Sequence, residues 1–159
     1  MKRYSGYTLV EILVSLTVIG LLFGFGFVSF RDFSRRQHLA SVVRTLIGEI
    51  RLVQSKASAG EKPDDPKCSG TNTLSSYSFN IVGSTSYQTA ANCLGGNVVI
   101  KTGNLSDGIS MTSTQNIISF KVLGQGTNVT AGGSAVITLT QTGTNNTSSV
   151  TVTSGGEIK

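Results

Sequence analysis

The chain has 159 residues, of which 13% are charged and 19 are glycine, and its 13 basic and 8 acidic side chains give a formal charge of +5. Ser, Thr and Asn crowd the second half, a composition foreign to a typical cytosolic enzyme and suited to an extracellular β-rich surface. A single histidine and two cysteines are too few ligands for a zinc site, so no metal or cofactor is expected.

Lys2 and Arg3 precede a long apolar run, which by the positive-inside rule keeps that end cytoplasmic. From Tyr7 to Phe30 there are 24 residues with one ordinary ionisable side chain, Glu11, a length that predicts a bilayer-spanning helix. A conventional secretory signal would have an apolar core of about 7–15 residues ending at small residues, which this run does not. A carboxylate at such a place costs roughly 2.5–3.5 kcal/mol on insertion scales and is usually paired or functional. The plain alternative is an acid tolerated near the cytoplasmic end of a single-pass anchor, where it snorkels to the interface. Gly20 and Gly24 form a small-xxx-small spacing that permits close helix approach.

The string Lys2-Arg3-Tyr4-Ser5-Gly6, then Tyr7-Thr8-Leu9-Val10-Glu11, resembles the processing site of type IV pilins and type II secretion pseudopilins. Gly6 matches the residue before the cut, Tyr7 the new N-terminus and Glu11 the acid; Tyr in place of the commoner Phe is the one departure. The resemblance implies a leader of residues 1–6 removed by a prepilin peptidase, N-methylation of Tyr7, and assembly with other pilin or pseudopilin subunits on an inner-membrane platform. Cleavage would place the Tyr7 amine at the membrane depth of Glu11. The carboxylate of one subunit can then meet the ammonium of a neighbour and set the register between packed helices. Many pilins carry a Pro in the outer part of this helix, a role that here falls to Gly24 and Gly26. Removing Lys2 and Arg3 leaves 11 basic against 8 acidic side chains.

Beyond Phe30 the helical pattern becomes amphipathic: Leu39, Val43, Leu46, Ile50 and Val53 recur at spacings of 4, 3, 4 and 3, with Val42 and Ile47 beside them. One helix from about Thr8 to Ser58 is expected, with residues 7–30 as membrane and filament core and 31–59 as its amphipathic half. Ala59-Gly60 stops it, and Pro63 and Pro66 prevent resumption. Residues 60–73 read as a loop, and its Asp64-Asp65 pair lacks the oxygen cage a calcium ion needs. From Leu74 to the end the period is two, with a hairpin through Gly83-Ser84 and strands at 97–101, 109–112, 116–122, 135–141 and 149–153. The fold class is α+β: a long N-terminal helix packed on an antiparallel sheet or small sandwich within 74–159. The run from Ile118 to Ile158 also resembles the end of the minor pseudopilin H group, which favours a minor subunit.

Cys68 and Cys93 both follow the apolar segment. In an oxidising compartment such a pair is expected to be bridged, although the sequence also allows two free thiols. No catalytic constellation is in view, because His38 sits in a basic segment and the Ser and Thr residues lack a companion base. Arg31, Arg35, Arg36 and Arg44 form a basic stripe that could contact lipid headgroups or nucleic acid; position beside the membrane favours headgroups or neighbouring subunits over DNA. Two function classes follow. The first is a structural subunit of a type IV pilus or secretion pseudopilus, running from the membrane to a periplasmic or cell-surface filament. The second is a membrane-anchored binding module, either a DNA-uptake pilin or an adhesin.

Overall fold

The computed structural model describes residues 6–159, except the side chains of residues 24–29. Lys2 and Arg3 of the expected leader therefore lie outside the described residues, and so do the side-chain surroundings proposed for Gly24 and Gly26. The chain divides into two units, Met1–His38 and Leu39–Lys159. Among the described residues the element order is one α-helix, α1 (Leu9–Ala59), followed by seven strands, β1 (Leu74–Ile81), β2 (Ser86–Cys93), β3 (Gly96–Asn104), β4 (Ile109–Ser113), β5 (Ile117–Lys121), β6 (Ser134–Gln141) and β7 (Thr147–Thr153), with short 3-10 turns at Pro66–Cys68 and Val122–Gly124. The expected α+β class, a long N-terminal helix on antiparallel strands, is the one observed.

In the second unit the helix buries Leu39, Val42, Leu46, Ile50, Val53 and Ala57. These positions advance by 3, 4, 4, 3 and 4, close to the helical repeat, and so keep one face on the core. Val42 takes the central place expected of Val43, which is only half-buried, because Leu39 and Leu46 point the stripe through 42. The helix ends where Gly60 turns left-handed at φ 63°. The Gly60 N–H donates to the Ala57 carbonyl at 3.1 Å and the Glu61 N–H to Lys56 at 3.2 Å, pairing carbonyls that the helix would otherwise leave open.

Two antiparallel sheets complete the unit, one in the order β3-β2-β1-β5 and the other β4-β6-β7. Strict alternation on β6 sends Ala135, Ile137 and Leu139 inward, and Val150 and Val152 of β7 and Ile109 and Met111 of β4 meet them in the same core. In the first sheet Tyr77 and Phe79 of β1 face inward, and Phe79 stacks on Tyr87 of β2 with ring centroids 5.0 Å apart. Gly103 is required here, because a Cβ at that position would run into the Tyr87 ring and hydroxyl.

Two ties hold the end of the helix to distant chain. The Gln54 amide donates to the Gly156 carbonyl at 2.7 Å, and the Tyr77 hydroxyl donates to the Glu61 carbonyl at 2.8 Å. Burial pushes the Tyr77 phenol above its ordinary range, Lys56 opposing and Glu61 adding to the shift. Burial does the same to Tyr87, with Glu49 raising and Lys101 lowering it. A phenol raised on folding stabilises the fold fully below its unfolded pKa of about 10, and that contribution is lost as pH rises through the folded value. Stability of the full chain should therefore fall above about pH 10. In Tyr77→Phe the fall should be shallower, after a loss of about 1 kcal/mol at neutral pH for the missing hydrogen bond, as read from urea midpoints across pH 8–11. An unchanged alkaline slope in Tyr77→Phe would remove Tyr77 from this account.

Candidate functional site

The described N-terminal residues begin with Gly6, Tyr7 and Thr8 ahead of the first helical residue, Leu9. Thr8 is the helix cap: its Oγ1 accepts from the Glu11 N–H at 3.3 Å, and its carbonyl accepts from the N–H groups of Glu11 and Ile12 at 3.1 and 3.3 Å. Thr8 and Glu11 thus stand at the spacing of a capping box, with the acid in the first turn where the helix dipole favours negative charge. Sequence reasoning passed over Thr8. The signal that could have found it is the T-x-x-E spacing directly before an apolar run.

The side chains that follow are uncovered. Tyr7 is 79% exposed, and Leu9, Val10, Leu13, Leu16, Leu21 and Leu22 are all exposed. A contiguous apolar surface of this kind marks a site for a partner or for lipid. The polar side chains among them are satisfied locally: Ser15 Oγ donates to the Glu11 carbonyl at 2.7 Å, and Thr17 Oγ1 to the carbonyls of Leu13 and Val14 at 2.9 and 2.8 Å. Their hydroxyls need no water, a condition for residing among apolar neighbours.

Among the described residues, no helix is long and apolar enough to cross a membrane. Before the undescribed side chains at 24–29, the helix offers Leu9–Phe23, 15 residues or about 22 Å, against a hydrocarbon core of about 30 Å. The expectation of a spanning helix over 7–30 thus lacks the support of the described residues, because the stretch that would complete it is not among them.

The remaining residues singled out from the sequence fall in separate places. Arg31, Arg35 and Arg36 belong to the first unit and Arg44, exposed, to the second. Asp65 caps a short 3-10 turn, Pro66–Cys68, its Oδ1 accepting from the Lys67 N–H at 2.9 Å. Cys68 on that turn and Cys93 at the end of β2 form a disulfide with Cα atoms 5.3 Å apart, fastening the loop after the helix to the sheet. Among the described residues there is no group of three or more metal-ligating side chains.

Residues 1–27 match the family model of the prokaryotic N-terminal methylation motif. Over 88 residues, half of this chain, it is 30% identical to a probable minor fimbrial protein of Dichelobacter nodosus, and 28% identical over the same length to a second protein of that description from the same organism. The matches cover 55% of each relative, so the chain spans about half the length of the curated relatives it matches. No solved structure matches the chain. The resemblance to type IV pilins, first drawn from Gly6, Tyr7 and Glu11, is thereby supported by the motif as a whole and by relatives of fimbrial description.

Proposed function

We propose that this chain is a structural subunit, of the minor kind, of a type IV pilus. A prepilin peptidase cuts between Gly6 and Tyr7 and the Tyr7 amine is methylated; residues 7–30 anchor the subunit in the inner membrane until the assembly platform moves it into the filament. The observation that carries this reading is the methylation-type motif placed directly on the start of a helix whose apolar side chains are uncovered. Such a surface is stable in lipid and, after extraction, against the same helix of neighbouring subunits. Glu11 then serves as the register device: in a correctly staggered neighbour it faces the Tyr7 ammonium, and in a misplaced one both charges stay unpaired. The fimbrial description of the relatives favours a pilus over a secretion pseudopilus.

The deciding measurement is the mass of the N-terminal peptide in protein sheared from the cell surface. A peptide beginning at methylated Tyr7 is the expected result. A peptide beginning at Met1, found in membranes alone, would reduce the chain to a plain anchor.

A further inference from the structure

The two bridged cysteines are out of reach in the folded chain. Cys68 is 1% exposed and Cys93 8%, both in the same buried cluster as Val53 and Ala57 of α1 and Tyr77 of β1. The segment around each is clamped to the segment around the other. Leu94, next to Cys93, donates its N–H to the Thr73 carbonyl at 3.0 Å, and Lys67, next to Cys68, donates its ammonium to the Asn97 carbonyl at 3.4 Å. Between these two bonds the Leu94-Gly95 turn, which joins β2 to β3, presses on the 3-10 turn. A Cβ at Gly95 would stand 2.5 Å from the Lys67 carbonyl oxygen and 2.6 Å from the Asn72 amide nitrogen. The nearer of the two is backbone and does not swing aside, so glycine alone allows so close a contact.

Exchange between thiols and disulfides proceeds by attack of a thiolate on a sulfur, so its rate depends on access as well as on thiolate content. With the Gly95 contact closed, no outside thiol or disulfide reaches either sulfur. What the bridge needs is in place earlier. Only β1 and β2 lie between the cysteines in sequence, and their pairing sets Cys93 opposite Leu74, close in sequence to Cys68. The turn that closes over the bridge follows directly after Cys93. The hairpin of β1 and β2 thus brings the sulfurs together, and the next stretch of chain covers them.

We propose that the Cys68–Cys93 bridge is made on the open hairpin of β1 and β2 and then sealed by the Gly95 turn, so that an external disulfide oxidant acts before the unit closes and no thiol undoes its work afterwards. The reaction is two exchanges. The thiolate of one cysteine attacks a sulfur of the oxidant's disulfide, forming a mixed disulfide and expelling one oxidant thiolate. The thiolate of the other cysteine then attacks the chain's own sulfur in that mixed disulfide, closing the bridge and expelling the second oxidant thiolate. The chain gives up two electrons and two protons, and the oxidant's disulfide becomes two thiols. The oxidant belongs to an oxidising compartment, and this placement rests on the export that the pilus reading entails.

The test uses the full chain in nonionic detergent, with dithiothreitol and oxidised glutathione as probes and free thiols read by alkylation and mass. Oxidised wild type in excess dithiothreitol should lose its bridge at least about a hundredfold more slowly when folded than in urea. Gly95→Ala should speed reduction of the folded chain by about tenfold or more, while in urea it is reduced at the wild-type rate. For the order of events, reduced wild type is diluted from urea with oxidised glutathione present from the start, or added once the near-ultraviolet circular dichroism of the folded chain has returned. Late addition should bridge the chain at least about tenfold more slowly. A chain that regains no such signal until oxidant is added supports the same order. Equal reduction rates folded and unfolded, or equal bridging with early and late oxidant after the signal has returned, overturn the proposal, and these wild-type arms stand even if Gly95→Ala folds poorly. An unchanged rate in folded Gly95→Ala overturns it as well. None of these readouts involves the N-terminal peptide, whose mass decides the pilus reading separately.

Discussion

Glu11→Ala is expected to leave cleavage after Gly6 intact while cutting incorporation into filaments by at least about tenfold. The substitution keeps the helix start, because it is the Glu11 backbone N–H that donates to Thr8, and alanine retains that group. What disappears is the side-chain charge in a stretch whose other exposed residues are almost all apolar. Under the proposed register role, the ammonium at the new N-terminus would enter the filament core unpaired, and leaving one partner of a buried ion pair alone costs about 3–5 kcal/mol. The measurement is the ratio of variant to wild-type subunits in a sheared filament fraction, with the N-terminal peptide mass reporting cleavage in each. Equal incorporation would remove the register role and leave Glu11 as a capping-box acid. Glu11→Gln separates the two functions, since it keeps a side chain able to bond the cap while removing the charge.

Replacing both Cys68 and Cys93 by serine should lower stability by about 3–4 kcal/mol, from the closure entropy of a loop spanning 25 residues. For a domain of this size that is a drop in melting temperature on the order of 10 °C or more. The bridge also places the 3-10 turn against β3, where the Lys67 ammonium donates to the Asn97 carbonyl at 3.4 Å, and the Asn72 amide donates to the Pro66 carbonyl at 3.3 Å within the loop. Both sulfurs are buried, so two serine hydroxyls would be left in apolar surroundings and add to the loss. Thermal melts of wild type and double variant, each oxidised and reduced, make the comparison. Coincident melts would show the bridge to be idle.

The helix and its end were legible because they rest on local chemistry. Leu46, Ile50 and Val53 recur at helical spacing, and Gly60 adopts the left-handed turn that glycine tolerates best. Strands β4 and β6 were legible to within a residue or so for a similar reason, since Ile109 and Met111, and Ala135, Ile137 and Leu139, alternate with polar neighbours. β2 was not. Its stretch Thr89-Ala90-Ala91-Asn92 has poor strand propensity, and it is a strand because β1 and β3 hydrogen-bond it from both sides, a constraint invisible in one segment. The same limit hid the ion pair of Glu49 with Lys101, which joins residues 52 positions apart. Of the candidate site, the motif is legible from residue types at fixed spacing, whereas the Thr8 cap rests on the backbone N–H groups of Glu11 and Ile12, which the charge of Glu11 does not reveal.

The tie between Gln54 and Gly156 spans 102 positions and bears on timing. A chain delivered N-terminus first presents Leu39, Leu46, Ile50 and Val53 before any strand exists to cover them, and β6 and β7 arrive last. Contacts this distant in sequence form late, since the intervening chain must be ordered before they reward its closure. During delivery the sticky face of the helix is therefore bare, the period in which such a chain is most prone to aggregate and most in need of a chaperone or of the membrane surface itself.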